Sequence, residues 1–260
     1  KFLLTGAATL TLLTACTQAS SQSATKSNTA QTTATSTSKN KTNNSNYFTD
    51  KDKDSSYDES KASTVKLSGS SASVSGDGVA VSGSTVTISK AGTYVISGES
   101  DGVQIKVEAG DSDDVHIVLK GVTMTNTNAP ISATKAGHVY LTLADGTTNT
   151  LSDSSSNNDE DADAVIFSKG DLTINGSGTL NIDAKKNNGI KANDTLHITG
   201  GTYKITAVGD AFNVNDELNI TGTTMTIDAD EDAVKVDNDE DTSVGTMYLS
   251  DNKMTITAGD

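Results

Sequence analysis

The sequence predicts an all-β chain wound as a right-handed parallel β-helix behind a disordered tether. Three observations predict it. A unit of about 22 residues recurs through the second half, apolar and polar residues alternate inside each unit, and Gly-containing turns separate the alternating runs. The copies run 171–193, 194–215 and 216–238, and a fourth opens at Thr246; Leu196 and Leu218, like Asp210 and Asp232, stand 22 apart. A unit of this size cannot bury its apolar face alone, so neighbouring units must stack.

Taken in order, the chain opens with Lys1 and a short apolar stretch, Phe2 to Leu13, too brief to span a bilayer. It ends in Leu13-Thr14-Ala15-Cys16, which reads as a lipoprotein signal of residues 1–15 with Cys16, the only cysteine, as the lipidation site. The expected address is the outer side of a bacterial cell membrane, reached through the lipid anchor alone. Residues 16–61 are Ser, Thr, Asn, Gln and Lys with few apolar side chains, a composition that favours disorder. As a flexible tether of about 44 residues this segment would span roughly 35–40 Å.

Residues 62–260 carry the folded domain. Leu218-Asn219-Ile220 and Met225-Thr226-Ile227 alternate apolar with polar, the pattern of half-buried strands, and Gly200-Gly201 and Thr221-Gly222 mark turns. One Pro in 260 residues suits long hydrogen-bonded ladders. A hydrophobic fraction of 33% with 4% aromatics is thin for a compact sandwich but enough for coils that each need a few inward side chains. Without an initiating Met, and ending at Asp260 where another Asp motif is due, the sequence reads as a fragment.

A net charge of -15 argues against nucleic acid and against adhesion of the folded domain to anionic lipid. Most carboxylates read as solvated turns. Four motifs do not: Asp163-Ala164-Val165, Asn188-Gly189-Ile190, Asp210-Ala211-Phe212 and Asp232-Ala233-Val234 put a carboxylate or amide at equivalent points of successive coils. Like charges about 5 Å apart repel by about 0.8 kcal/mol in water and about 3 kcal/mol at an effective dielectric of about 20, so a partner is expected. With Asp161 and Asp230 two residues upstream, the all-oxygen set favours a hard cation such as Ca²⁺ over zinc. The competing reading is that each Asp or Asn caps a turn by accepting its own downstream N–H. An EF-hand across Asp228, Asp230, Asp232 and Asp239 is rejected, since Ala233 stands where Gly is required and Asp239 where a bidentate Glu is.

The runs 85–98, 141–151, 164–169 and 172–180 resemble the calcium-dependent carbohydrate-binding β-helix family of bacterial surface lipoproteins, over residues 64 to 260. The resemblance implies a shape related to pectate lyases, calcium held at the Asp/Asn motifs, and binding of plant or microbial polysaccharide. Ala164, Ala211 and Ala233 depart from the Gly common in that family, and Asn188 replaces a carboxylate.

A lyase needs calcium on the uronate and a Lys or Arg base. Lys191 and Lys235, three residues past Asn188 and Asp232, are the candidates, but no cationic cluster beside them orients a substrate, and ordinary strand lysines are the favoured reading. Lys169 and Lys204 are weaker. His116, His138 and His197 lie on strand-like runs and read as structural. The expected function is therefore non-catalytic, calcium-dependent polysaccharide binding at the cell surface, an acidic, uronate-containing glycan being favoured because aromatics are few. Tyr140, Tyr203 and Tyr248 are the candidates for stacking on sugar rings. The alternatives are a pectate-type lyase and a calcium-rigidified structural adhesin.

Overall fold

Alternation within each unit becomes three short strands per coil, and in the regular coils each strand pairs in parallel with the one three places later. The computed structural model describes residues 47–259, all of them within one compact unit. The expected signal segment 1–15, Cys16 and the expected tether as far as residue 46 lie outside the described residues.

Two antiparallel hairpins come first: β1 (Ser63–Gly69) with β2 (Ser71–Ser75), and β3 (Val79–Ser82) with β4 (Thr85–Ile88). Then follow β5 (Gly92–Asp101), β6 (Gln104–Glu108), β7 (Asp114–Thr125) and β8 (Ile131–Lys135). Regular coils begin with β9 (His138–Leu143), β10 (Thr148–Ser152) and β11 (Ala164–Ser168). The next holds β12 (Leu172–Gly176), β13 (Thr179–Ala184) and β14 (Asn188–Ala192), and the next β15 (Thr195–Thr199), β16 (Thr202–Ala207) and β17 (Phe212–Val214). After β18 (Glu217–Thr221), β19 (Thr224–Ala229) and β20 (Lys235–Val236), the described chain closes with β21 (Thr246–Ser250) and β22 (Lys253–Ala258).

Three faces result. The first is β9-β12-β15-β18-β21, the second β10-β13-β16-β19-β22, and the third β8-β11-β14-β17-β20. Because β7 is long enough to pair with both β9 and β10, the first two faces belong to one 14-stranded sheet, while the third belongs to an 8-stranded sheet. The corner of β7 is fixed by Asn149, whose buried Oδ1 accepts the Gly121 and Val122 N–H groups, both at 3.0 Å. Between the first and second faces Gly176 bends the chain at φ +98°, so close to the coil below that a Cβ would lie 2.3 Å from the Leu143 carbonyl. Only glycine meets both conditions.

The core follows from the alternation. Ile174, Ile198 and Ile220 stack on the first face, Ile182, Ile205 and Ile227 on the second, and Ile190 against Phe212 on the third, all at most 2% exposed. Coils rise by about 4.8 Å, and each such side chain contributes about 1.5–3 kcal/mol on burial.

Of the stretch expected to be disordered, residues 47–61 are ordered. Helix α1 (Asp50–Lys53) is capped by a reciprocal pair in which the Thr49 hydroxyl and the Asp52 carboxylate each bond the other's backbone N–H. Phe48 and Asp52 are buried against the first face. Two aromatics, Tyr47 and Phe48, and a capping box end the polar tract at this point. No helix among the described residues is long and apolar enough to cross a membrane.

Candidate functional site

The Asp/Asn column lies at the turn leading into the third face. Register pairs Ile190 with Phe212 and Asn213 with Lys235, which aligns Asn188, Asp210 and Asp232 as their spacing predicts. Asp163 is one residue out: Ala164, not Asp163, is opposite Asn188, because this coil is longer than 22 residues. The column is fastened by hydrogen bonds from coil to coil, not by local caps. Asn188 Oδ1 accepts the Asp210 N–H at 3.0 Å, and Asp210 Oδ1 accepts the Asp232 N–H at 3.1 Å, so each side chain fastens the coil that follows. Asp210 Oδ2 accepts from Asn213 Nδ2 at 2.7 Å.

The repulsion expected along the column is relieved by these contacts. Asn188 is neutral, Asp232 is exposed, and Asp163 is paired with Lys191 at 2.6 Å while accepting from Asn187 Nδ2 at 2.8 Å. The oxygens of Asn188 and Asp210 are therefore committed, and the column does not fit a calcium cage. Asp161 and Asp230 are exposed. Among the described residues no three His, Cys, Asp or Glu side chains converge to hold a metal ion. A polar cleft beside the column is lined by Asn157, Asn158, Asp159, Glu160, Asp163, Lys186 and Asn187.

Both candidate bases lie beside carboxylates. The Lys191 ammonium is held by Asp163, and Lys235 is exposed, 4.0 Å from Asp237. Of the three tyrosines expected to stack on sugar rings, Tyr203 faces the wrong way. Tyr203 is 1% exposed inside the core, because it shares strand parity with Ile205 and Ala207. Burial pushes its phenol far up, and its hydroxyl has no hydrogen-bond partner. Tyr140 is buried, its phenol pushed up to about 12 by burial and then by Asp114, Asp52 and Asp171, with the Lys51 ammonium 4.5 Å above its ring. Tyr248 is covered by Tyr47, ring on ring at 3.7 Å and 6°.

Two surfaces went unmarked in the sequence reading. On the second face the outward residues form rows in register: Thr179, Thr202, Thr224 and Lys253; Asn181, Lys204, Thr226 and Thr255; Asp183, Thr206, Asp228 and Thr257. Those on β16 and β19 are exposed. The Thr-x-Thr and Thr-x-Lys alternation is their signal.

On the first face a row of Tyr140, Thr173, His197, Asn219 and Tyr248 runs beneath residues 47–54. Asp52 fills its centre: Oδ1 accepts from the Thr173 hydroxyl at 2.6 Å, and Oδ2 lies 3.1 Å from His197 Nδ1, an ion pair not aligned as a hydrogen bond. Burial works to raise the Asp52 pKa, but His197, Thr173 and Thr49 outweigh it and hold the carboxyl well below the usual range. Burial works to lower the His197 pKa, and Asp52 and then Glu217 reverse the sign. The other two histidines are satisfied structurally, His116 by Thr142 at 2.7 Å and His138 by Thr173 at 2.9 Å.

Similarity to known proteins falls on this same body. Residues 82–260 match the family model described as "Carbohydrate-binding domain-containing protein". A "Carbohydrate-binding domain-containing protein" of Acetivibrio thermocellus is 37% identical over 126 residues, which cover 46% of this chain and 44% of that relative. The match thus spans less than half of the relative's length. Among solved structures, "the polysaccharide lyase-like protein from C. thermocellum, Gadolinium derivative" superposes with a TM-score of 0.71 at 33% identity, covering 74% of this chain and 81% of that one.

Proposed function

This chain belongs to the family of carbohydrate-binding domain-containing proteins, and from that premise we propose that its second face binds a polysaccharide chain without cleaving it. The observation that carries the proposal is the exposed lattice of Thr, Asn and Lys on β13, β16, β19 and β22. Rows repeat about every 4.8 Å across the coils. A threonine hydroxyl both donates and accepts, as a sugar hydroxyl does, so the lattice can meet one glycosyl unit after another. Each exchange with water yields only about 0.5–1.5 kcal/mol, so affinity must grow with glycan length.

A lyase reading has the weaker support, since Lys191 is engaged by Asp163 and Lys235 lies exposed, 4.0 Å from Asp237. Calcium in this reading belongs to the cleft. Asp159 and Glu160 with the neighbouring Asn side chains are oxygen donors of the kind a hard cation takes; they form no cage by themselves, so the carboxylate of a bound uronate would have to complete the set. The cleft opens at the turns that follow β10 and β13, at the border of the second face. The same reading holds the chain at the bacterial surface by a diacylglyceryl group on Cys16, an assignment resting on the sequence.

Affinity electrophoresis tests it, with polygalacturonate and a neutral β-glucan, each with and without chelator. Retention by wild type, reduced in the Lys204→Ala/Thr226→Ala double variant and increasing with glycan length, is expected, and chelator should weaken the acidic arm only. Unretarded migration in every gel would defeat the binding proposal. Growth of unsaturated-product absorbance on incubation with polygalacturonate would replace it with the lyase.

A further inference from the structure

We infer that the first face beneath residues 47–54 is a second glycan-binding site, built for a carboxylate-bearing sugar chain, and that this segment of the protein occupies it in cis. The inference rests on the polysaccharide reading above and adds a site, a ligand class and a means of control.

The direction of the hydrogen bonds is the first argument. The Thr173 hydroxyl donates to the Asp52 carboxylate; Asn175 Nδ2 donates to the Asp52 and Asp54 carbonyls at 3.2 and 3.1 Å. The Thr199 hydroxyl donates to the Asp52 carbonyl at 2.7 Å, and Asn219 Nδ2 to the Tyr47 carbonyl at 2.9 Å. In these four the sheet donates and the segment accepts; only the Lys51 ammonium runs the other way, donating to the Asp114 carboxylate at the start of β7, at the far end of the row beside Tyr140. A donor-rich face with a histidine at its centre selects an acceptor-rich, anionic occupant.

What the segment presents is the second argument. Asp52 brings a carboxylate to Thr173 and His197, Tyr47 lays a flat ring on Tyr248, and the main chain supplies neutral oxygens between them. A uronate-containing chain carries the same three kinds of group: carboxylate, ring face, and ether or hydroxyl oxygen. With the segment lifted, the rings of Tyr140 and Tyr248 lose the cover of Lys51 and Tyr47 and become platforms at the two ends of the row.

The third argument compares two parts of the same segment. Where Tyr57 and Ala62 lie, the face beneath is apolar, made of Val95, Val118 and Ala144, as permanent cover favours. Under residues 47–54 it is Thr173, Asn175 and Asn219, each at most 1% exposed. Polar side chains gain little from permanent burial, because folding merely exchanges their water for protein partners. They suit a face that is also used uncovered. The apolar contacts, with the Lys120–Glu59 ion pair at 2.7 Å, form the hinge about which residues 47–54 swing.

The test uses the whole chain and trigalacturonate, with a neutral trisaccharide as control. If the face is open one-tenth of the time or less, apparent affinity is weakened at least about tenfold. Asp52→Ala should recover that factor for trigalacturonate and not for the neutral sugar, with faster hydrogen exchange over residues 47–54. Adding His197→Gln should abolish the gain. Should exchange show that Asp52→Ala leaves the segment closed, Asp52→Ala/Phe48→Ala removes its buried anchor and the same titration decides. An opened face with unchanged trigalacturonate affinity overturns the inference. Polymer retention sensitive to Lys204→Ala is scored on the same samples: retention without the Asp52→Ala gain defeats this inference alone, and no retention by any variant defeats the polysaccharide reading itself.

Discussion

Replacing Asp210 by Ala separates a structural column from a metal site. The side chain is 4% exposed, and its two oxygens accept the Asp232 N–H at 3.1 Å and the Asn213 amide at 2.7 Å. Hydrogen bonds to a charged acceptor are worth about 1.5–3 kcal/mol each, so the pair sets an upper range of about 3–6 kcal/mol. Two effects reduce it: the variant no longer desolvates a carboxylate, and water can reach the exposed last coil at Asp232. The expected loss is about 2–4 kcal/mol, or about 4–16 °C in Tm at about 2–4 °C per kcal/mol for a domain of this size. Thermal unfolding followed by circular dichroism, with and without chelator, measures it. The shift should be the same in both, and Asp210→Asn, which keeps an acceptor for the Asp232 N–H, should restore part of it. A loss below about 0.5 kcal/mol, the size of an ordinary surface substitution, or one that vanishes in chelator, would refute the column as an inter-coil fastening.

Two further outcomes follow from buried groups. Tyr203→Phe removes a hydroxyl that is fully buried without a partner, so stability should rise by about 1–3 kcal/mol, read as a higher Tm; a fall would mean that the hydroxyl is satisfied in solution. Docking of residues 47–54 should depend on pH through His197, which faces Asp52 from the segment, Glu217 and Asn219 from β18, and the edge of Phe48. Its folded pKa is raised, so its contribution is complete below the ordinary value of 6.5 and is lost as pH rises through the raised value. The Asp52 contribution has the opposite sense, complete above 3.8 and lost as pH falls through its lowered value. Exchange protection of the segment, corrected for the intrinsic rate, should therefore be greatest between about pH 4 and 6.5; a profile flat through pH 9 in wild type, or one that His197→Gln leaves unchanged, would count against the ion pair.

The coils were legible because their cause is local. A strand with one face in a core must alternate, and stacking forces the alternation to recur at the coil length, so Leu196 over Leu218 and Asp210 over Asp232 follow from counting. Counting fails where a coil changes length. Ala164 and its partner Asn188 stand 24 apart rather than 22, so Asp163 falls one place short of the column and becomes the partner of Lys191. Tyr203 was legible in principle, since strand parity with Ile205 puts it inside; reading it as a sugar platform weighed residue type above alternation. The docked segment was hidden for a different reason. Its contacts with Thr173, Thr199 and Asn219 cross 121, 147 and 172 residues, and nothing local to a polar tract reports the face that will cover it. The sheet holds the complementary signal. On the exposed second face the outward rows are mostly Thr, with scattered Asn, Lys and Asp, whereas the first face carries a run of His, Tyr and Asn at matching positions, a chemistry that water-facing strands do not need. A stacked coil averages its outward residues toward whatever solvent tolerates, so a row that departs from that average over several coils marks a surface that meets something other than water.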